Sequence, residues 1–311
     1  MLWTYLLLSI AAISTAVQGH AISPRAAYPG GQVGYLPFPV EDFSKTVASV
    51  QNTYCGPSLN VPGTHIGDQT LLYAYGDGNL GGQKANIYHS ESLGIIVAYE
   101  GTNFTGLQSI VNDFNAFQVL PGPDFNLPLG SLIFNGWQLA FYRTWFQVKL
   151  GLRTALAQYP DANIVVTGHS QGAAIATLAA LAIEKAFPGK INKIITYGPP
   201  RVGNPEFADA FDAVFIGKYT GVSNGKDWVQ NVPTQSMGYR HPTGIVWINP
   251  ANSTSWIYFN EQEPAAGPDS VPLQIFYPGT LTLDWDDHQG IYMHSSMGVA
   301  QGPCPAKVGG Y

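Results

Sequence analysis

The chain has 311 residues, of which 45% are hydrophobic, 13% aromatic and only 11% charged. Disordered chains carry much charge and few aromatics, so this composition excludes one. The formal charge of -6 opposes binding to a polyanion such as nucleic acid. No run reaches the roughly 20 uninterrupted apolar residues that a transmembrane segment needs.

Residues 1–16, MLWTYLLLSIAAISTA, form an apolar run of signal-peptide length followed by small residues, although no positive charge precedes the apolar core. Cleavage is expected after Gly19, with Ala21 as the second site, which predicts a secreted, extracellular protein. No repeat, charge block or low-complexity linker divides the remainder, so 20–311 is expected to be a single domain. Two cysteines, Cys55 and Cys304, make an even set that an oxidising compartment would pair. That bond would close a loop of about 250 residues. Asn103-Phe104-Thr105 and Asn252-Ser253-Thr254 are glycosylation sequons.

Residues 71–75 and 87–89 flank a glycine-rich turn and predict a hairpin, and 95–99 predicts a buried strand. From 136 to 159 the apolar spacing predicts one long amphipathic helix, weakened at Gly151. A strand over 164–167, an alanine-rich helix over 171–187 and a strand over 191–197 follow. Next come a short helix over 205–211 and a strand over 214–219, then strands or an edge hairpin at 245–248 and 256–259. Helices alternating with apolar strands predict an α/β fold, a largely parallel sheet with helices on both faces.

Gly76-Asp77-Gly78-Asn79-Leu80-Gly81 matches a dinucleotide fingerprint, but a strand pattern follows where the motif requires a helix. Nucleotide binding is not expected. The pentapeptide GxSxG occurs twice, against roughly 0.3 matches at random. Gly221-Val222-Ser223-Asn224-Gly225 has no helix after it and reads as a loop. Gly168-His169-Ser170-Gln171-Gly172 lies between an apolar strand and a small-residue helix, the strand-to-helix turn that projects a nucleophilic serine. Ser170 is the candidate nucleophile.

In this context the chain resembles the fungal class 3 lipases, the triacylglycerol lipases of filamentous fungi and related feruloyl esterases. The resemblance covers about 53–296. It rests on Ile96-Val97-Ala98-Tyr99-Glu100-Gly101-Thr102, on 165–173 around Ser170, and on Tyr197-Gly198-Pro199-Pro200-Arg201-Val202-Gly203-Asn204. It implies an α/β-hydrolase fold and ester hydrolysis. Two departures stand out: Glu100 replaces the usual arginine, and Gln171 replaces the common leucine after the serine.

A serine hydroxyl needs a histidine base and a carboxylate to orient it, in the chain order serine, acid, histidine. Asp209 and Asp212 fall on a helix, whereas Asp227 lies beyond the next strand and matches the family's Asp-x-Val segment. Asp227 is the candidate acid. The base must come from His241, His288 or His294. His288 resembles the late Asp-His motif, although the following tyrosine comes one residue later than usual, and His241 matches a structural family histidine. The Gln171 amide and Thr102 are expected to form the oxyanion hole. Asp284, Asp286 and Asp287 read as a solvated acidic loop, and no metal-ligand spacing is present, so neither metal nor cofactor is expected.

Residues 104–119 fall where the family carries its lid, and 120–128 could wall an acyl groove, with ordinary core packing the plainer reading of their aromatics. The expected function is a secreted, monomeric lipase acting on acylglycerols at a lipid–water interface. The alternatives are a feruloyl or short-chain carboxylesterase, a phospholipase, or an inactive lipid-binding relative.

Overall fold

A computed structural model describes residues 28–76, 83–102, 117–271, 285–298 and 302–309. The expected signal peptide, Asn103, Asp284 and most of the expected lid lie outside the described residues. An edge strand β1 (Gly31–Val33) leads into helix α1 (Val40–Thr53), followed by β2 (His65–Ile66), β3 (Gln69–Tyr75), β4 (Ala85–Ser90) and β5 (Gly94–Tyr99). A small ribbon, β6 (Gln118–Val119) with β7 (Ile133–Phe134), precedes α2 (Asn135–Tyr142) and α3 (Trp145–Gln158). Then come β8 (Ile164–His169), α4 (Gln171–Ala186), β9 (Ile191–Tyr197), α5 (Pro205–Phe215), β10 (Tyr219–Asn224), β11 (Ile245–Ile248) and β12 (Trp256–Phe259). A single turn, α6 (Trp285–His288), and a ribbon of β13 (Ile291–Tyr292) with β14 (Ser295–Ser296) follow.

The ten-stranded sheet runs β1-β12-β11-β10-β9-β8-β5-β4-β3-β2. Its centre, from β5 through β8, β9 and β10 to β11, is parallel, and both margins are antiparallel. The central strands read as continuous apolar runs because both faces are covered. Ile95, Val97 and Tyr99 of β5 belong to the core beneath α2, α3, α4 and α5, while Ile96 and Ala98 face α1 on the other side. This is the largely parallel α/β sheet that the element order predicts, in the α/β-hydrolase arrangement that the resemblance implies.

Three expectations are corrected. The single helix over 136–159 is two helices, and Gly151 sits undisturbed inside α3. The break falls at 143–144, where Arg143 and Thr144 N–H groups turn to the i–3 carbonyls of Ala140 and Phe141. The aromatic run Phe141-Tyr142 and Trp145, with Thr144 between, has weak helix propensity and is placed by ring packing: Phe141 stacks on Trp145 at 5.3 Å. Phe125, in the stretch considered for an acyl groove, packs on Phe141 at 5.0 Å and takes the plain core role.

The strand expected over 214–219 is the end of a helix at 214–215 and a turn over 216–218, with strand only from Tyr219. Phe207, Phe211 and Phe215 recur every fourth residue and are all buried, so the apolar face carries α5 to Phe215 before Gly217 turns the chain at φ 73°. The strand is Tyr219–Asn224 instead. The second GxSxG, read as a loop, therefore lies in the sheet up to Asn224, its small and polar side chains hidden between β9 and β11.

Cys55, just beyond α1, is bonded to Cys304, with Cα atoms 5.7 Å apart. Asn52 Oδ1 also accepts from the Ala306 N–H, so the late segment is held to α1 twice. Replacing both cysteines with serine should lower stability by about 2–5 kcal/mol, read as a lower midpoint of denaturant unfolding. An unchanged midpoint would show that packing alone holds the late segment.

Candidate active site

Ser170 stands between β8 and α4 with φ 58° and ψ −128°, a conformation that side chains rarely adopt. The turn is tight enough that a Cβ at Gly168 would collide with the Gly172 carbonyl, and one at Gly172 with the carbonyls of Tyr99, which ends β5, and of Glu100 just beyond it. Both glycines of the pentapeptide are thus required by close backbone approach. The Ser170 N–H donates to the Tyr197 carbonyl at 2.9 Å, which fixes the turn to the end of β9. The side-chain oxygen is buried and makes no hydrogen bond among the described residues.

Gly198, next after Tyr197, connects this turn to the candidate acid and base. A Cβ there would lie 2.8 Å from Asp227 Oδ2 and 2.9 Å from His288 Nδ1. The family motif needs glycine here because a side chain would wedge into the acid–histidine pair. His288 Nδ1 donates to Asp227 Oδ2 at 2.9 Å, and Asp227 Oδ1 accepts from the Val229 N–H at 2.9 Å. Asp227 has no exposed surface, and His288 has 1%. Despite the shifted spacing, Tyr292 Oη reaches both the His288 carbonyl, at 3.2 Å, and Asp227 Oδ2, at 3.4 Å. Burial, with Asp227 beside it, pushes the Tyr292 phenol far above its usual range.

A second chain of bonds, which sequence reasoning missed, runs behind the serine. Burial and the neighbouring His288 hold His169 well below the usual histidine range, so the ring is neutral. Its Nε2 is 2.9 Å from the His288 carbonyl, which only accepts, so Nε2 carries the hydrogen. Nδ1 then accepts from Tyr54 Oη at 2.7 Å, and Tyr54 Oη accepts from the Gly101 N–H at 2.9 Å. The His169 and His288 rings stack at 4.6 Å. Thr102, half-buried just beyond β5, and Gln171, the first residue of α4, flank Ser170 at the same end of the sheet. Tyr54 could be found in the sequence only as the residue before Cys55, which carries no chemical signal.

The remaining candidates lie in other settings. His241 Nε2 donates to the Gln230 carbonyl at 2.7 Å, and its own N–H reaches Glu263 at 2.6 Å. Glu263 also grips the buried Arg201 with two bonds of 2.8 and 2.6 Å, and Asp269 adds a third at 2.9 Å. Asp212, on α5, receives the Thr243 N–H and hydroxyl, and His294 lies on the turn after β13. Glu100, in the family's arginine position, forms an ion pair with Lys84 at 3.0 Å, and Lys84 also reaches the Thr53 carbonyl. Asp287 Oδ2 receives the Lys226 N–H at 2.6 Å, a structural use for one member of the acidic loop.

The fold defines an α/β hydrolase, and similarity to known proteins narrows this. The lipase (class 3) family matches residues 96–237. A secreted mono- and diacylglycerol lipase of Gibberella zeae is 59% identical over 89% of this chain and 87% of its own. One from Malassezia globosa is 40% identical over 93% of each. Among solved structures, the Rhizomucor miehei lipase propeptide complex superposes with TM-score 0.72 at 21% identity, covering 88% of this chain and 86% of that one. The chain belongs to the class 3 lipase family, a family of carboxylic ester hydrolases.

The environment of His241 sets a pH dependence of stability. Burial pushes this imidazole from 6.5 down to about 4, with Arg201 helping and Glu263 opposing. Between those values the unfolded chain holds the proton and the native chain does not. Native stability is therefore intact above about 6.5, falls progressively as the pH drops from about 6.5 to about 4, and levels off below that, by roughly 3 kcal/mol in full. His241→Gln keeps a donor without the basic nitrogen, so its melting temperature should fall less than that of the parent between pH 7 and 4.5. Parallel curves would remove His241 as a source of acid lability.

Proposed function

We propose that this chain is a secreted lipase that cleaves the carboxylic ester bonds of acylglycerols through Ser170, His288 and Asp227. The observation carrying this reading is the buried hydrogen bond between His288 Nδ1 and Asp227 Oδ2, beside a serine on a strained strand-to-helix turn. With Nδ1 holding its hydrogen on Asp227, the basic lone pair of His288 resides on Nε2. His288 takes the Ser170 hydroxyl proton as the oxygen attacks the ester carbonyl, and Asp227 stabilises the resulting imidazolium. The oxyanion receives the N–H groups of Gln171 and Thr102, the first aided by the positive end of the α4 dipole. Collapse of the tetrahedral intermediate passes the proton from His288 to the leaving glycerol oxygen and leaves an acyl-Ser170, which water then hydrolyses by the same relay.

Secretion and an acylglycerol substrate are supported by the names of the Gibberella and Malassezia relatives. Action at a lipid–water interface is supported by large apolar side chains left in solvent, Phe117, Leu120, Leu139, Phe146 and Leu150, and a monomer is part of the proposal. A leader over 1–19 and one hydrolase domain over 20–311 complete the proposal, with Asn103 and Asn252 as glycan acceptors and no cofactor or metal.

Ser170→Ala, Asp227→Asn and His288→Ala should each lower kcat by about 10⁴–10⁶ on mono- and diacylglycerols, Ser170→Ala with the fold and its stability kept. Circular dichroism and a p-nitrophenyl ester assay check both halves. An inactive Ser223→Ala beside an active Ser170→Ala would overturn the choice of nucleophile, and an inactive His241→Ala beside an active His288→Ala the choice of base. A substrate panel led by methyl ferulate or acetyl esters would replace lipase with esterase.

A further inference from the structure

The acid and the base of the proposed triad come from segments 61 residues apart in sequence, and a second set of contacts joins those segments directly behind them. Asn224, the last residue of β10, is fully buried and supplies the hub. Its Nδ2 donates to the Asp287 carbonyl at 2.9 Å and to Asn252 Oδ1 at 3.1 Å, and its Oδ1 accepts from the Asn252 N–H at 2.8 Å. Its own carbonyl accepts the Asp227 N–H at 2.9 Å. Asp287, immediately before His288, returns a bond to the acid's side: its Oδ2 accepts the N–H of Lys226, immediately before Asp227, at 2.6 Å. Asn252 Oδ1 also accepts the Ile291 N–H at 2.6 Å, holding the far side of the His288 turn.

Two further features mark these contacts as built. Gly225 has φ 48°, and a Cβ there would stand 2.5 Å from Asp287 Oδ2. Glycine is needed where the acid loop and the base loop touch. Asn252, the sequon asparagine, itself has φ 59° and aims its Oδ1 inward at Asn224 and Ile291 while much of the residue is exposed.

We propose that Asn224 and Asp287, braced by Asn252, are positioning residues that hold His288 in register with Asp227. The inference rests on the triad reading above. The residues preceding the acid and the base are bonded to each other, so the two catalytic side chains move as one unit. The four-residue helix of His288 lies outside the main sheet, so side-chain bonds such as these, with that from His169 at the end of β8, are what place it. Asn252 thereby serves the reaction as an asparagine, whether or not it carries a glycan.

The test uses the full secreted enzyme and a soluble p-nitrophenyl butyrate assay. Asn252→Ala and Asp287→Ala should each lower kcat about tenfold and leave KM within about twofold, because misplacement of the reacting groups affects the chemical step. Weaker pairing with Asp227 destabilises the imidazolium, so the acid limb of the kcat/KM profile should move to lower pH by about half a unit or more. Asn252→Asp and Asp287→Asn retain an acceptor oxygen and should recover most of the rate. Thr254→Ala removes the sequon but leaves Asn252 in place, and should retain parental kcat. Equal losses in Thr254→Ala and Asn252→Ala would assign the effect to the glycan and overturn the proposal. So would a lowered melting temperature with unchanged kcat and pH profile in both alanine variants. Full activity in Asp227→Asn would instead sink the triad reading on which the inference depends.

Discussion

Asp227 is a carboxylate with no exposed surface, and burying such a group is tolerable only where hydrogen bonds replace its water. The protein supplies the His288 Nδ1–H and the Val229 N–H, with Tyr292 Oη close by. Each donor fixes a different piece of chain: the helical turn before β13, the loop after β10, and β13 itself. The sheet margins, the disulfide and the late ribbon can then be seen as ways of bringing residues 285–292 back over the carboxyl ends of β8, β9 and β10. Removing the histidine would leave a buried charge with a lost donor, so the same bond that orients a base also makes its removal costly to the fold.

Geometry on the serine side is set by backbone rather than by charge. Gly168, Gly172 and Gly198 let three chain segments approach more closely than any side chain would allow, and Ser170 accepts a strained conformation in return. Behind it, the neutral His169 ties the Gly101 amide, through Tyr54, to the His288 carbonyl. The segment after β5 that carries the expected oxyanion donor Thr102 is therefore coupled to the backbone of the expected base. A protonated His169 could not accept from Tyr54, and burial is what keeps it neutral.

The parts legible in the sequence were those in which local pattern and tertiary role agree. Strands β5, β8 and β9 are apolar runs because both sheet faces are covered, and the small-residue helix after Ser170 has its sequence because it is packed almost entirely inside. What misled was the opposite case. β10 is central yet spelled Tyr-Thr-Gly-Val-Ser-Asn, so its burial could not be inferred from hydropathy, and the phenylalanine face of α5 extended into residues that look like a strand. Arg201 was legible as a motif residue, but its partners Glu263 and Asp269 are more than 60 residues away and belong to no pattern. Tyr54 and Asn224 are hidden for the same reason: their importance lies entirely in long-range hydrogen bonds.

Charge is scarce in this chain, and where it is buried it is spent on joining loops. Arg201 binds the turn after β9 to the segment holding Glu263 and Asp269, and its Nη1 also reaches the Pro233 carbonyl at the end of the acid's loop. Lys84 joins β4 to Glu100 beside the β5 terminus and to the end of α1. Arg201 satisfies carboxylates and a carbonyl from segments that the sheet does not connect, and Lys84 adds the end of α1 to the already paired β4 and β5, as a guanidinium or ammonium with several donors can do and a hydrophobic contact cannot. Glu100 stands where the family usually has arginine, and Lys84 supplies its counter-charge just beyond the end of β5, next to the serine turn.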